Sequence, residues 1–224
     1  MTNYQSVIDS KINLVTGSER KISLFKRFTK RIFDLLFSLL GIIVLSPIFI
    51  IAAIWIKLST KDRIIYKQQR MGKNLKLFNI YKFQTMVPDA DKIGPLVTVG
   101  NDPRVTKPGR VLRKYKIDEL PQLFNVLFGT MSFVGPRPEV PKYLPYYSDE
   151  HLKLFTIKPG ITDISSIELR DEELFLEENS DRIDYYETVL LPQKLNNSLT
   201  YLEKYSVLYD VKLILKTIKK VVFS

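Results

Sequence analysis

The chain has 224 residues, and its 34 lysines and arginines outnumber its 24 acidic residues, giving a formal net charge of +10 at pH 7. It has no cysteine and one histidine, which excludes a disulfide framework, a thiolate nucleophile and a zinc–thiolate site and argues against a histidine-based triad or metal site. The positive charge suits nucleic acid, anionic lipid or a phosphorylated substrate, and no helix-turn-helix, zinc-finger or base-stacking motif supports nucleic acid.

The first long feature in chain order is an apolar segment at residues 32–56, in which Asp34 is the only charged residue. The preceding residues 1–22 are polar and predict a mobile arm or a short surface helix. About 20 apolar residues are enough to cross a bilayer. Basic residues, which mark the cytoplasmic side, flank the segment on both sides: Lys26, Arg27, Lys30 and Arg31 before it, and Lys57, Lys61, Arg63 and Lys67 after it.

A serine and a proline, Ser46-Pro47, lie near the middle of this segment. Proline removes a backbone donor and breaks the helical hydrogen-bond ladder. Together with positive charge at both ends, the break predicts a re-entrant helical hairpin over residues 23–60 that enters and leaves the same membrane face. A membrane-spanning anchor is the alternative that hydropathy alone favours. A cleaved signal peptide is disfavoured because the segment starts late and no small-residue cleavage site follows.

Residues 61–224 predict one cytoplasmic catalytic domain with helices at the membrane interface. Alternating apolar and polar residues around the turn at residues 71–74 predict a hairpin of two strands. Residues 88–110 are rich in proline, glycine and aspartate, and they predict a surface loop able to fold over a polar ligand.

An Asp-Glu pair, Asp118 and Glu119, precedes a helical pattern that Gly129 ends. The apolar face of this helix consists of Leu120, Leu123, Phe124, Leu127 and Phe128. Asp118 is therefore predicted at or beside the N-cap, where the helix dipole and free N–H groups keep a carboxylate ionised and bind a phosphoryl group. The alternative is that Asp118 only caps the helix and Glu119 only adds charge to its first turn.

Four basic residues are candidates for binding substrate phosphates. Arg137 lies between two prolines in a Gly-Pro-Arg-Pro turn, so its backbone is fixed and its guanidinium forms a rigid fork for phosphate. Arg113 comes shortly before the Asp-Glu pair. Lys82 and Arg104 are further candidates for nucleotide or phosphate contacts. For any single one of these residues the alternative is a surface ion pair or a solvated side chain.

The remaining sequence predicts mainly helices. Residues 141–155 predict an amphipathic helix with His151 on its surface, and residues 158–162 predict a turn. The tail from Pro192 predicts two helices. The second, at residues 208–222, combines apolar residues with lysines, so it either lies on an anionic membrane surface or packs on the core.

Several of these blocks occur in one order: the apolar segment with its central Ser-Pro, then QQRMG, YKFQTM, NDPRVT, LRKYKIDELPQLFNVL, MSFVGPRP and KPGIT. This order closely resembles the bacterial sugar transferase family of monotopic phosphoglycosyl transferases, over residues 26–162. The resemblance implies transfer of sugar 1-phosphate from a UDP-sugar to polyprenyl phosphate at the cytoplasmic face of the bacterial inner membrane, with UMP released.

The resemblance also implies roles for individual residues. Asp118 corresponds to the nucleophile that forms a phosphosugar–enzyme intermediate, and Glu119 to the residue associated with Mg²⁺. Ser46-Pro47 corresponds to the break in the re-entrant helix. Arg170 falls at a spacing where the family often has an arginine. Independently of the resemblance, a carboxylate can attack phosphorus, and two anions can react only if Mg²⁺ and arginines neutralise them.

The sequence departs from the common family pattern after KPGIT. Many relatives continue with Gly-Trp and an Asn-Gly-Arg, whereas this chain reads TDISSIELRDEE. The sugar specificity of a relative therefore does not transfer to this chain.

The predicted fold is an α/β, helix-dominated single membrane-associated domain with an N-terminal re-entrant hairpin, a small strand element and interfacial amphipathic helices. The predicted partners are a UDP-sugar, polyprenyl phosphate and anionic lipid, and the oligomeric state, including a homodimer, stays open. The alternative functions are a catalytically silent membrane scaffold and a transferase that moves the sugar alone and releases UDP. A multi-pass enzyme is disfavoured because only one apolar segment exists.

Overall fold

The computed structural model of the protein describes residues 4–17, 22–60, 63–94, 102–169, 176 and 181–222. Helices dominate this part of the chain, and its strands form two separate two-stranded sheets. The helix-dominated class with a small strand element is therefore confirmed, although the sequence predicted only the first of the two sheets.

The N-terminal segment forms helix α1 (Tyr4–Gly17). Its residues Ile8 and Val15 are buried in the main hydrophobic core. The Nζ of Lys11 donates a hydrogen bond to the carbonyl of Tyr147 at 2.9 Å. For residues 4–17 the mobile arm is wrong and the surface helix is incomplete, because one face of α1 packs against the domain. Residues 1–3 and 18–21 of the predicted segment lie outside the described residues.

The apolar segment forms two helices, α2 (Leu24–Val44) and α3 (Ser46–Ser59), which meet at an angle of 59°. The Oγ of Ser46 donates to the carbonyl of Ile43 at 2.7 Å, and it satisfies one acceptor near the position where Pro47 interrupts the ladder. The predicted break is confirmed. Within the described residues, no single helix is long and apolar enough to cross a bilayer, whereas α2 and α3 together meet that test as a bent pair.

The outer surface of the bent pair is apolar. Its exposed large side chains include Leu36, Leu40, Ile43, Val44, Ile50, Ile51 and Leu58. The basic residues before the segment do not all lie on this outer surface, because Lys30 is only 5% exposed and Arg31 donates to the carbonyls of Val126 and Leu127. Two of the four positive charges that precede the apolar segment therefore contact the domain instead.

The predicted strand hairpin is confirmed. Strands β1 (Ile65–Met71) and β2 (Leu77–Phe83) pair antiparallel, with Ile65 opposite Phe83 and Met71 opposite Leu77. The turn between them contains Asn74 in the left-handed region, at φ 56°, a conformation that asparagine tolerates better than most residues. The hairpin holds Lys82 near the end of β2.

Of the predicted loop at residues 88–110, residues 95–101 lie outside the described residues, and part of the remainder is helical. A one-turn helix, α4 (Ala90–Ile93), lies within it, and helix α5 (Lys107–Lys114) ends it. Thr106 caps α5 by accepting a hydrogen bond from the N–H of Gly109 at 3.1 Å. Asp118 and Glu119, called the Asp-Glu dyad below, follow α5 and precede helix α6 (Gln122–Phe128).

A second, parallel sheet was not predicted from the sequence. It pairs strand β3 (Ser132–Val134) with strand β4 (Gly160–Thr162), so that Ser132 lies opposite Gly160 and Val134 lies opposite Thr162. The KPGIT block was predicted as a turn, but its last three residues form β4. Each strand has only three residues, which is too short for a period-2 pattern to stand out.

The helix predicted at residues 141–155 is divided into three short pieces. A 3₁₀ segment at Pro141–Tyr146 is followed by helix α7 (Asp149–Leu152) and a second 3₁₀ segment at Lys153–Thr156. Pro145 disfavours a continuous α-helix. Ser148 then starts a new one, because its Oγ accepts a hydrogen bond from the N–H of His151. The surface position of His151 is confirmed.

In the described residues after β4, the α-helices include α8 (Ile164–Glu168), α9 (Arg182–Tyr185), α10 (Leu191–Glu203) and α11 (Val207–Val222), and a π-helical segment at Tyr186–Leu190 joins α9 to α10. The two helices predicted for the tail correspond to α10 and α11. In α11, Asp210 and Leu213 are buried, whereas Leu215 and Ile218 are exposed. The helix therefore packs on the core with one face and also presents an apolar, lysine-rich face outward.

Candidate functional site

The Asp-Glu dyad lies in a 3₁₀ turn, Ile117–Glu119, between α5 and α6. Lys116 precedes this turn with a left-handed backbone, at φ 55°. Because the N-cap of α6 is Pro121, the prediction that Asp118 lies at or beside the N-cap is wrong by three residues. The predicted helix end is confirmed, since Gly129 adopts φ 84° after the last turn of α6.

Two predicted basic residues meet at Glu119. The Oε1 of Glu119 accepts from the Nζ of Lys82 at 2.8 Å and from a terminal nitrogen of Arg137 at 2.9 Å. Lys82 lies on β2 of the first sheet, whereas Arg137 lies in the turn that follows β3 of the second sheet. The two cations at Glu119 therefore come from different parts of the fold. The structure thus brings together three residues that are far apart in the sequence.

The charges of this cluster depend on one another. Burial alone would raise the pKa of Glu119, but Arg137 and Lys82 outweigh it and hold that pKa well below its usual range. Burial lowers the pKa of Lys82, and Glu119 only partly opposes that change. Glu119 therefore stays ionised and compensates the positive charges of Lys82 and Arg137.

Asp118 has a different environment from its neighbour. It is 7% exposed, and its Oδ1 is buried without a hydrogen-bond partner among the described residues. Burial raises the pKa of Asp118, although the charge of Lys82 acts in the opposite direction. The predicted stabilisation of its anion by a helix N-terminus is therefore wrong, because the first residue of α6, Gln122, lies four positions further on.

The unpaired oxygen of Asp118 and the neighbouring Glu119 fit a magnesium ion. Mg²⁺ takes hard oxygen ligands and is usually bound by one or two carboxylates, with water and substrate phosphates completing its shell. A buried acceptor without a donor costs free energy, so a cation at Asp118 Oδ1 would remove that cost. Among the described residues, no group of three or more acidic, histidine or cysteine side chains is placed to hold a metal ion.

The other predicted cations have different positions. The Nε of Arg113 donates to the Oγ1 of Thr85 at 2.9 Å, and its charge lowers the pKa of Asp118. Arg104 instead pairs with Asp102 at 2.6 Å and donates to a carbonyl of α4. Its contacts with Asp102 and α4 lie in the loop before α5. Arg170 lies outside the described residues.

The turn that carries Arg137 is fixed by the KPGIT block. The N–H of Gly135 donates to the carbonyl of Thr162 at 3.2 Å, and the N–H of Gly160 donates to that of Pro136 at 3.0 Å. A Cβ atom on Gly160 would lie 2.1 Å from the nitrogen of Gly135. Both glycines are needed because the two backbones touch, and this contact fixes the backbone that leads to Arg137.

Asn125 is a site-supporting residue that the sequence analysis missed. Its Oδ1 accepts from the N–H of Tyr81 at 2.9 Å, and its Nδ2 donates to the carbonyl of Asn79 at 2.8 Å. These bonds tie α6, which follows Glu119, to the strand that carries Lys82. An asparagine inside a short apolar helix is a poor helix former, and this was the signal in the sequence.

We expect Asn125→Ala to lower the free energy of unfolding by about 1–2 kcal/mol, because it leaves two partly buried backbone groups unpaired. Urea unfolding of the purified protein in detergent measures this value. The matched control is Asn13→Ala, the same change at an exposed position of α1, which should stay within about 0.5 kcal/mol of the wild type. Equal losses in the two variants would contradict the expected role of Asn125.

Comparison with known proteins identifies the family. A model described as bacterial sugar transferase matches residues 25–224. A Komagataeibacter xylinus protein named undecaprenyl-phosphate glucose phosphotransferase is 36% identical over 219 residues, covering 95% of this chain and 39% of that protein. A Salmonella typhimurium protein named undecaprenyl-phosphate galactose phosphotransferase is 35% identical over 212 residues, covering 87% of this chain and 40% of that protein.

A third relative is closer to this chain in length. The Bacillus subtilis protein EpsL, named an uncharacterized sugar transferase, is 34% identical over 195 residues, which cover 87% of this chain and 88% of EpsL. The chain therefore spans most of EpsL but only 39% and 40% of the two named phosphotransferases. Because the family model covers most of its residues, the chain belongs to the bacterial sugar transferase family.

Proposed function

We propose that the protein transfers a sugar 1-phosphate from a UDP-sugar to polyprenyl phosphate and releases UMP. The observation that carries this proposal is the buried, unpaired Oδ1 of Asp118 beside the cations of Lys82 and Arg137. A nucleophilic carboxylate next to fixed positive charge suits attack on an anionic diphosphate. The names of two relatives, which refer to phosphotransferases acting on undecaprenyl phosphate, support the same reaction.

In the first step, a carboxylate oxygen of Asp118 forms a bond to the β-phosphorus of the UDP-sugar. The bond between that phosphorus and the bridging oxygen breaks, and UMP leaves with the electron pair. The sugar phosphate is then joined to Asp118 as an acyl phosphate. Covalent catalysis of this kind divides one difficult displacement into two easier ones.

In the second step, a phosphate oxygen of polyprenyl phosphate attacks the same phosphorus. The bond to Asp118 breaks, the carboxylate is regenerated, and the product is a polyprenyl diphosphosugar. Both steps transfer one phosphoryl group between oxygens, so neither needs an oxidant or a reductant. UMP, rather than UDP, is therefore the nucleotide product.

Fixed positive charge is needed in both steps because every reactant is an anion. Arg137 is well placed to bind the transferred phosphate, since its turn is fixed and its guanidinium reaches the dyad. Arg113 adds a second positive charge near Asp118. Asp118 and Glu119 would hold Mg²⁺, which when bound neutralises the diphosphate and favours departure of UMP.

We propose that the bent pair α2–α3 is a re-entrant hairpin at the cytoplasmic face of the bacterial inner membrane. Its exposed apolar surface and its bend support this placement. The lipid acceptor carries its phosphate at the membrane surface, so a site held there meets the acceptor without a search through solution. The outward lysines of α11 would bind anionic lipid headgroups.

The function is tested by measuring the nucleotide released from a panel of UDP-sugars in the presence of undecaprenyl phosphate and Mg²⁺. We expect continuous UMP release from the wild type with at least one sugar only when lipid and metal are both present, whereas without lipid the release should stop at about one UMP per enzyme molecule, because only the first step can occur. UDP as the product would overturn the reaction type. A complete lack of release over a broad panel would favour the scaffold alternative.

The hairpin is tested by cysteine labelling, which is simple because the chain has no native cysteine. The exposed residues Lys26, in the first turn of α2, and Arg63, shortly after α3, mark the two ends of the bent pair. We expect Lys26→Cys and Arg63→Cys to react with an impermeant maleimide from the same membrane face. Lys153→Cys, at an exposed site in the catalytic domain, marks the cytoplasmic face. Reaction of Lys26→Cys from the opposite face would instead indicate a spanning helix.

A further inference from the structure

Charged side chains of α2 contact the folded domain, among them Lys30, Arg31 and Asp34. Lys30 and Asp34 are 5% and 2% exposed, and they are four residues apart, so they lie on one face of the helix. Buried charges persist only where partners compensate them. The main-chain partners of these three residues belong to β3 and α6, the two elements next to Arg137 and to the dyad.

Lys30 belongs to a cluster with Tyr201 of α10 and Asp210 of α11. Its Nζ donates to the carbonyl of Val134 at 3.0 Å and to the hydroxyl of Tyr201 at 3.2 Å, and it pairs with Asp210. The hydroxyl of Tyr201 lies 2.7 Å from Asp210 Oδ1 and 3.1 Å from the carbonyl of Val134. Val134 is the last residue of β3, three positions before Arg137, so the cluster holds the strand end that leads into the arginine turn.

Asp34 holds the other end of the same strand. Its Oδ1 accepts from the Oγ of Ser132 at 2.9 Å and from the N–H of Phe133 at 3.1 Å. Since β3 has only three residues and pairs with an equally short β4, its own ladder fixes it weakly. Two residues one turn apart on α2 therefore hold both ends of β3.

Arg31 connects the same helix to the dyad side of the site. Its two terminal nitrogens donate to the carbonyls of Val126 at 2.7 Å and Leu127 at 2.8 Å. The last carbonyls of a helix have no partner within the helix, so Arg31 caps α6. Helix α2 thus contacts the backbone of α6, which follows Glu119 in the chain, and the backbone of β3, which precedes Arg137.

We propose that Lys30, Asp34 and Tyr201 are positioning residues that hold Arg137 against Glu119 in the geometry needed for phosphosugar transfer. The catalytic part of this inference rests on the function proposed above. A buried ion pair adds little net stability, because the cost of removing its charges from water offsets their attraction. The contacts are directed at one strand backbone, so their main effect is on where that strand lies.

The test uses two small changes and a matched control. Tyr201→Phe removes one buried hydroxyl, and Lys30→Met removes the donor to Val134 while keeping an unbranched apolar chain. The control is Lys11→Met, which also removes a lysine bond to a main-chain carbonyl but acts between α1 and Tyr147.

Hydrogen exchange of the full-length protein gives a readout that does not depend on activity. We expect amides in residues 132–139 to exchange about tenfold faster in Tyr201→Phe and Lys30→Met, because local opening of β3 becomes easier. Lys11→Met should leave this segment unchanged. Unchanged exchange at residues 132–139, or an equal increase over the whole chain, would overturn the proposal.

Kinetics with a second variant separate positioning from general stability. We expect Tyr201→Phe to lower kcat about tenfold in the wild type but less than about threefold in an Arg137→Lys background, because both changes act through one side chain. Losses that multiply independently would overturn the positioning role. If the wild type transfers no phosphosugar, the proposed function fails, whereas the exchange experiment still decides whether these residues hold β3.

Discussion

Asp118→Asn is expected to reduce phosphosugar transfer by about 10⁴-fold or more, because removal of a covalent nucleophile disables both steps. The same change should leave the thermal midpoint without Mg²⁺ equal to or above that of the wild type. The reason is that Asp118 Oδ1 is buried without a partner, so a neutral amide costs the folded state less than a charged carboxylate. Release of UMP and thermal unfolding measure the two effects.

The control for Asp118→Asn is Asp149→Asn, the same change at an exposed position of α7. We expect this variant to keep its activity and its thermal midpoint. Residual transfer by Asp118→Asn within about tenfold of the wild type would contradict a nucleophilic role. A lowered midpoint would contradict the view that the unpaired carboxylate is held at a cost.

Arg137→Gln is expected to reduce transfer by about 10²–10³-fold, the usual effect of removing one fixed donor from a developing negative charge. Arg137→Lys should lie between this variant and the wild type, because it keeps the charge but loses the planar fork. Arg137 also pairs with Glu119 at 2.9 Å, so we expect Arg137→Gln to be less stable as well. Steady-state UMP release and urea unfolding measure both properties.

The control for this prediction is Arg182→Gln, an identical substitution at an exposed position of α9. It should have no effect on either measurement. A loss confined to stability, with kcat unchanged in Arg137→Gln, would mean that the arginine only compensates the buried charge of Glu119. Equal losses of activity in Arg137→Gln and Arg182→Gln would indicate a general effect of reduced positive charge.

The local features of the fold could be predicted from the sequence. The break at Ser46-Pro47, the strand hairpin around Asn74 and the helix end at Gly129 each depend on a few neighbouring residues. Proline, asparagine and glycine restrict or permit backbone conformations wherever they occur. The predictions for these features therefore did not depend on knowing the tertiary structure.

The features that join distant parts of the chain could not be predicted in this way. Strands β3 and β4 have three residues each and are separated by a long connection. The cluster of Lys30, Tyr201 and Asp210 joins residues up to 180 positions apart. No local periodicity encodes such contacts, so Lys30 was taken for a membrane-flanking charge.

The sequence predicted several residues of the candidate site but only part of their spatial arrangement. Lys82, Glu119 and Arg137 meet as a cluster, whereas Arg104 pairs with Asp102 in a loop. The electrostatic environment of Asp118 was predicted wrongly, because the helix after it was expected to start beside this residue and starts at Gln122 instead. The burial of Asp118 depends on how α5, α6 and β2 pack together, and that packing is a tertiary property.

The two helices of the bent pair contact different parts of the candidate site. The α3 residues Ala52 and Ile56 pack on Phe83 and Leu112, which are the neighbours in sequence of Lys82 and Arg113. The other arm, α2, holds the strand that leads to Arg137. A change in the angle at Leu45 would therefore alter the distance between Lys82 and Arg137, so the geometry of the bend and the spacing of these two cations are coupled.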